Sequence, residues 1–209
     1  MVEIAVLLFL IVLTVSGLVY IFCKRVIYKL NRRVLARNMA LIKNGSALQK
    51  FETLSEKEIR EKLIYPFFMV LGYNTYDMRE FQSFVGRNGC MPDYLVKKWD
   101  HSKYRKTALA IKYFPFKEDD IDWDNKIYNN PFENVCSIDK MTDEVYFKSE
   151  YYVLTNGYLY LFFDRRKKKD GSKYDFCFNV KKYSKSDSAQ LAHYTKQCLF
   201  LELADVYRA

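Results

Sequence analysis

The sequence predicts an α/β domain, a central mixed sheet flanked by helices, preceded by one transmembrane helix. Three observations predict it. An uncharged apolar run, Ile4–Cys23, is followed at once by a basic cluster. A segment of helical period, Ser55–Val70, leads into three runs of strand length. After a stretch with no clean period, further strands precede a last segment of helical period. Helix, three strands, an irregular crossover, strands and helix is the order of an α/β domain.

The apolar run comes first. About 20 residues at ~1.5 Å rise cover ~30 Å, the thickness of a bilayer's hydrocarbon core. A cleaved signal peptide fits less well. Glu3 and no Lys or Arg precedes the run, and no small-x-small pattern closes it. Lys24, Arg25, Lys29, Arg32, Arg33 and Arg37 follow. By the positive-inside rule the N-terminus is expected outside and residues 24–209 in the cytoplasm. Val26, Ile27, Leu30, Val34, Leu35, Leu41 and Ile42 are interleaved with these charges, which predicts a basic juxtamembrane helix over 25–46, broken at Asn44-Gly45-Ser46. The same cluster suits anionic lipid headgroups.

The main domain is expected over 47–209. Ser55 is placed to cap a helix, Glu56 and Glu58 fall in its first turn, and Ile59, Leu63, Phe67 and Val70 recur at helical spacing. Pro66 predicts a kink or an early end, and Gly72 a C-cap. Strands are expected at Glu80–Val85, Met91–Lys97 and Lys106–Phe114. Lys117–Lys148 is expected to hold a helix and a long loop. Glu150–Leu154 and Tyr158–Asp164 read as strands joined by Thr155-Asn156-Gly157, the Asn-Gly pair being a strong hairpin signal. Tyr174–Val180 reads as the last strand and Ala189–Tyr207 as the last helix.

Composition narrows the chemistry. A chain of 209 residues, half of them apolar and 17% aromatic, has the material for a core. The net charge of +9 favours polyanions, nucleic acid or anionic lipid. The five cysteines, Cys23, Cys90, Cys136, Cys177 and Cys198, form no Cys-x-x-Cys pair and read as reduced thiols. The two histidines, His101 and His193, lack ligand spacing, which argues against a His-based zinc site or a Ser-His-Asp machinery.

Four segments then carry a resemblance. They are Ser55-Glu56-Lys57-Glu58-Ile59-Arg60 with Tyr65-Pro66 and Leu71-Gly72-Tyr73; Pro92-Asp93-Tyr94; Ala110-Ile111-Lys112; and Val153-Leu154-Thr155-Asn156-Gly157 with Phe162-Phe163-Asp164. In this order, over residues 52–182, the chain resembles the N-terminal nuclease domain of the type I restriction enzyme R subunit, a branch of the PD-(D/E)xK nuclease superfamily. The resemblance implies a restriction-endonuclease-like fold and Mg²⁺-dependent cleavage of DNA. In that chemistry carboxylates hold a hard cation, which polarises the scissile phosphate and activates water. Carried over by position, Asp93 is the implied metal ligand and Lys112 the implied catalytic lysine. Glu56 is the implied helix carboxylate, with Glu58 as the competing register, and Glu80 is a further candidate. The chain departs from the pattern at Ala110, where the family's acidic residue would stand.

Two resolutions suggest themselves. A carboxylate arrives from elsewhere, from Glu56, Glu58 or Glu80 or from the acidic run Glu118–Asp124 reaching back, or the domain is no longer a nuclease and keeps the fold for binding. Arg165, Arg166, Lys167, Lys168 and Lys169 are candidates for phosphate contact, against the reading of an exposed hairpin end. Tyr151, Tyr152, Tyr158, Tyr160, Phe162 and Phe163 are either a stacking platform for bases or sheet core. Three functions follow. One is a membrane-tethered deoxyribonuclease acting in defence against foreign DNA; no Gly-x-x-x-x-Gly-Lys-Ser/Thr loop is present, so a translocating motor would have to be a partner. Another is an inactive nuclease-fold module binding nucleic acid or a protein partner at the membrane. The third is a sensor of anionic lipid.

Overall fold

The structure is a computed structural model that describes residues 2–84, 92–97, 107–128, 149–164 and 173–199. Helix α1 (Val2–Lys43) is 42 residues long, ~63 Å at the usual rise. Within it the side chains of residues 2–13, 21, 23–25, 27, 28, 30 and 31 are not among those described. Val15, Leu18, Val19 and Phe22, all in the apolar run, are exposed. Among the described residues no helix is long and apolar enough to cross a membrane. The other end of α1 belongs to the domain. Leu35 and Met39, one turn apart, are buried in the core, and Ile42 packs against it. The core therefore begins upstream of residue 47.

After the short helix α2 (Ser46–Gln49), the expected first helix of the domain forms in three joined pieces. They are α3 (Glu56–Ile59), a π turn (Arg60–Ile64) and α4 (Tyr65–Val70). Pro66 explains the middle piece. It has no N–H for the carbonyl four residues back, and its ring would crowd that carbonyl. The wider turn relieves both, and Tyr65 N–H instead reaches Arg60 O. The kink expected at Pro66 is thus a π turn that leaves the helix continuous. Gly72 ends it with φ at +90°.

Among the described residues eight strands follow: β1 (Phe81–Ser83), β2 (Tyr94–Lys97), β3 (Thr107–Tyr113), β4 (Ile121–Asp122), β5 (Ile127–Tyr128), β6 (Tyr151–Thr155), β7 (Leu159–Asp164) and β8 (Phe176–Asn179). Six of them form one mixed sheet in the order β1-β2-β3-β6-β7-β8, and β4 pairs with β5 separately. All neighbours in the large sheet are antiparallel except β3 and β6, which run parallel. Parallel strands need a crossover. Its described part holds a 3-10 turn at Glu118–Asp120 and the β4–β5 pair; residues 129–148, most of the segment expected to hold a helix and a long loop, lie outside the described residues. The last helical segment starts earlier than expected and is interrupted. Ser184 caps α5 (Lys185–Leu191), a 3-10 turn follows at Ala192–Tyr194, Thr195 is extended, and residues 196–199 are helical again; 200–207 lie outside the described residues.

Both sheet faces are buried, which is why β3, β6 and β7 read as near-continuous apolar runs. One face meets the helices. Tyr65 packs edge-on against Tyr94, Phe67 stacks on Tyr160 with centroids 3.5 Å apart, and Tyr194 covers Phe162. The aromatic set of β6 and β7 is therefore core. Tyr151, Tyr152, Tyr158, Tyr160, Phe162 and Phe163 are each no more than 9% exposed and offer no platform for bases.

Candidate functional site

Asp93 stands just before β2, where Pro92 has no N–H to lose to the ladder. Its backbone completes the pairing on both sides. Asp93 N–H donates to Ile111 O (2.8 Å), and Phe84 N–H donates to Asp93 O (2.7 Å). The register pairs Tyr94 with Ile111 and Leu95 with Ala110. Residues facing each other across an antiparallel pair share a sheet face. Leu95 and Ala110 therefore share one with Lys112, two residues along β3, and the strand alternation expected for Ala108, Ala110 and Lys112 is realised.

The Asp93 side chain is 8% exposed and closely held. Oδ2 accepts from Tyr113 N–H (2.7 Å) and lies 3.4 Å from Arg60 Nη1. Oδ1 lies 3.4 Å from Lys112 Nζ. Arg60 extends the cluster outward, donating to Glu56 Oε1 through Nε (3.2 Å) and Nη2 (2.5 Å). Its guanidinium also donates to Tyr94 Oη at 3.5 Å and lies 4.8 Å from the Tyr113 ring centroid. Burial disfavours the Arg60 charge, but bonds to Glu56 and Tyr94 and the Asp93 charge outweigh it and hold its pKa above the ordinary value. Burial pushes the Tyr94 and Tyr113 hydroxyls up. Two carboxylates and two cations make a charge-balanced group, its inner pair shielded from water.

The other candidates lie elsewhere. Glu58 closes a capping box with Ser55 and accepts from Lys62 Nζ (2.6 Å), which holds its carboxyl down at about 2. Glu80 accepts from Lys196 Nζ (2.6 Å) and from Asn74 N–H. Its carbonyl pairs with Lys97, at the opposite end of β2 from Asp93, ~13 Å along the ladder. In the acidic run, Glu118 meets Lys182 and Asn179, Asp120 caps Lys117 N–H, and Asp122 caps Asn125. Asn179 lies on β8, three strands from β3. The run does not reach back. Arg165, Arg166, Lys167, Lys168 and Lys169 lie outside the described residues.

This donor set does not suit Mg²⁺. The ion asks for near-octahedral oxygen ligation. Asp93 gives both oxygens to cations and a backbone N–H, Ala110 gives none, and Glu56 is directed to Arg60. Among the described residues no three His, Cys, Asp or Glu side chains gather where a metal ion could be held. Of the expected site residues the fold brings together Asp93, Lys112 and, through Arg60, Glu56. Arg60 is the residue that sequence reasoning left out of the site. Its signal was the Glu56-x-x-x-Arg60 spacing, one helical turn.

No family model, curated protein or solved structure matches the chain.

Proposed function

We propose that the chain is a membrane-tethered, non-hydrolytic nucleic-acid-binding module built on a restriction-endonuclease-like domain, in which an internal ion-pair cluster has replaced a metal site. The observation that carries this reading is the state of Asp93. Its carboxylate is neutralised by Arg60 and Lys112, beside an alanine where a second metal ligand would stand. Lys112, implied as the catalytic lysine, becomes a structural counter-ion. The surplus of positive charge supports a polyanionic partner. The tether is supported by the uncharged run at residues 4–23, by its exposed Val15, Leu18, Val19 and Phe22, and by the basic flank.

The test is incubation of the full chain, in a neutral detergent, with plasmid and linear DNA in Mg²⁺ or Mn²⁺. The expected result is no cleavage and DNA binding that weakens linearly in log salt. Cleavage that disappears in both Asp93→Ala and Lys112→Ala would overturn the reading in favour of a metal-dependent deoxyribonuclease.

A further inference from the structure

A cavity of about 540 Å³ lies between α1 and the start of α5, lined by Lys29, Arg32, Arg33 and Ala36 on one side and by Tyr183, Ser184, Lys185 and Ser188 on the other, with no residue of the Asp93 cluster in its lining. Positions 29, 32, 33 and 36 recur at three- and four-residue steps and so share one face of α1. Ala36 leaves the space that a longer side chain would fill. Four cations line the cavity and no carboxylate does, among the described residues. The acidic residue of α5, Asp187, is turned to the helix cap, where its Oδ2 accepts from Ser184 N–H (2.7 Å). The volume falls in the range of small-molecule sites. Guanidinium forks flanked by ammonium and hydroxyl donors are the chemistry that recognises phosphate.

Position along α1 narrows the source of that phosphate. Lys29 and Arg33 follow the end of the apolar run by ~9 and ~15 Å of helix. Headgroups occupy the ~5–8 Å outside the hydrocarbon core, and Lys and Arg side chains reach several ångströms back toward it. We infer that this cavity binds the phosphate headgroup of an anionic glycerophospholipid and so fixes the domain against the membrane surface. The inference rests on the reading that residues 4–23 lie in a bilayer. Flotation of the reconstituted full chain after an alkaline wash scores that reading separately, because the binding assay below needs no bilayer.

The assay titrates the full chain in neutral detergent with short-chain phosphatidic acid, phosphatidylcholine, inorganic phosphate and a 20-nucleotide DNA, read by native mass spectrometry. Phosphatidic acid is expected to bind at one site, at least about tenfold tighter than phosphatidylcholine or phosphate. Ala36→Phe keeps every charge and fills the cavity, and it is expected to weaken binding about tenfold or more. Arg32→Ala with Arg33→Ala is expected to do the same, and Lys185→Glu provides a change outside α1 should Ala36→Phe not fold. Lys50→Ala with Lys57→Ala removes equal charge elsewhere and is expected to leave affinity within about twofold. Undiminished binding in the folded cavity variants would overturn the site. Inorganic phosphate binding as tightly as the lipid would make it a site for a free anion, and DNA displacing the lipid would make it a nucleic-acid site; either overturns the headgroup assignment.

Discussion

Arg60 Nη1 stands 3.4 Å from Asp93 Oδ2, and both side chains are at least nine-tenths buried. A charge pair taken out of water is retained only when the desolvation of each partner is offset by the other and by further hydrogen bonds. Here Tyr113 N–H, Lys112 and Glu56 supply them. Removing one member leaves the other exposed to the full desolvation term. Arg60→Met is expected to destabilise the domain by about 2–4 kcal/mol, below the upper range for a broken buried pair because Lys112 still faces Asp93. Asp93→Asn keeps an acceptor for Tyr113 N–H and is expected to relieve part of that loss in the double variant, giving a coupling of about 1–3 kcal/mol in a denaturant-melt cycle. Strict additivity would show that the two residues do not act as a pair.

Ala110 is 3% exposed, faces Leu95 across the ladder, and shares its sheet face with Lys112. Ala110→Glu restores the acidic residue that the resemblance implies, but into a packed site. Overpacking and a buried charge together are expected to cost about 2–4 kcal/mol in metal-free buffer. If the site descends from a metal centre, Mn²⁺ is expected to raise the melting temperature of this variant and leave the parent chain unmoved. A melting temperature insensitive to Mn²⁺ in both would show that the geometry no longer accepts a cation even with its carboxylate returned.

The sheet was legible because β2, β3, β6 and β7 carry continuous apolar runs, and the shared face of Ala108, Ala110 and Lys112 followed from period-two alternation in β3. The π turn was not legible. Pro66 signals a disturbance, but whether the helix breaks or widens depends on how Tyr65 and Phe67 pack against Tyr94 and Tyr160, which are distant in sequence. The break in the chain's last helical segment was not legible because Ala189, Leu191, Ala192 and Leu199 keep a helical spacing through Thr195, where the backbone is extended before helix resumes at 196–199. Glu58 and Glu80 looked like site carboxylates because sequence shows charge without direction. One is turned to its own helix cap and the other to Lys196.

Glu58 makes a pH-dependent contribution whose sign is set by its hydrogen bonds. The bond from Lys62, then those from the Ser55 backbone and hydroxyl, lower its carboxyl from the ordinary 4.5 to about 2. A carboxyl depressed in the folded state stabilises it above its unfolded value, and that stabilisation disappears as pH falls through the folded value. The stability gap between the parent chain and Glu58→Gln is therefore expected to be constant above pH 4.5 and to close between pH 4.5 and 2. Acid melts of the two proteins measure it. A gap that does not change with pH would assign the effect to the geometry of the cap alone.

Gly157 links the β6–β7 hairpin to the helix that carries Glu56 and Arg60. Its φ is +104°, and a Cβ built on it would meet Ile59 Cγ2 at 2.5 Å, one residue from Arg60. Asn156 fixes the rest of the loop, donating from Nδ2 to Phe116 O (2.8 Å) and accepting from Tyr158 and Leu159 N–H. Gly157→Ala therefore meets two penalties, a backbone conformation unfavourable to L side chains and a clash with a buried isoleucine. Together they are expected to destabilise the domain by about 2–4 kcal/mol, read as a shift in the denaturant midpoint. Ile59→Ala removes the clash but not the strain. In the Gly157→Ala background it is expected to recover part of the loss, although in the parent chain it costs stability on its own. If Ile59→Ala is equally costly in both backgrounds, the hairpin does not press on the helix, and Gly157 serves only the turn.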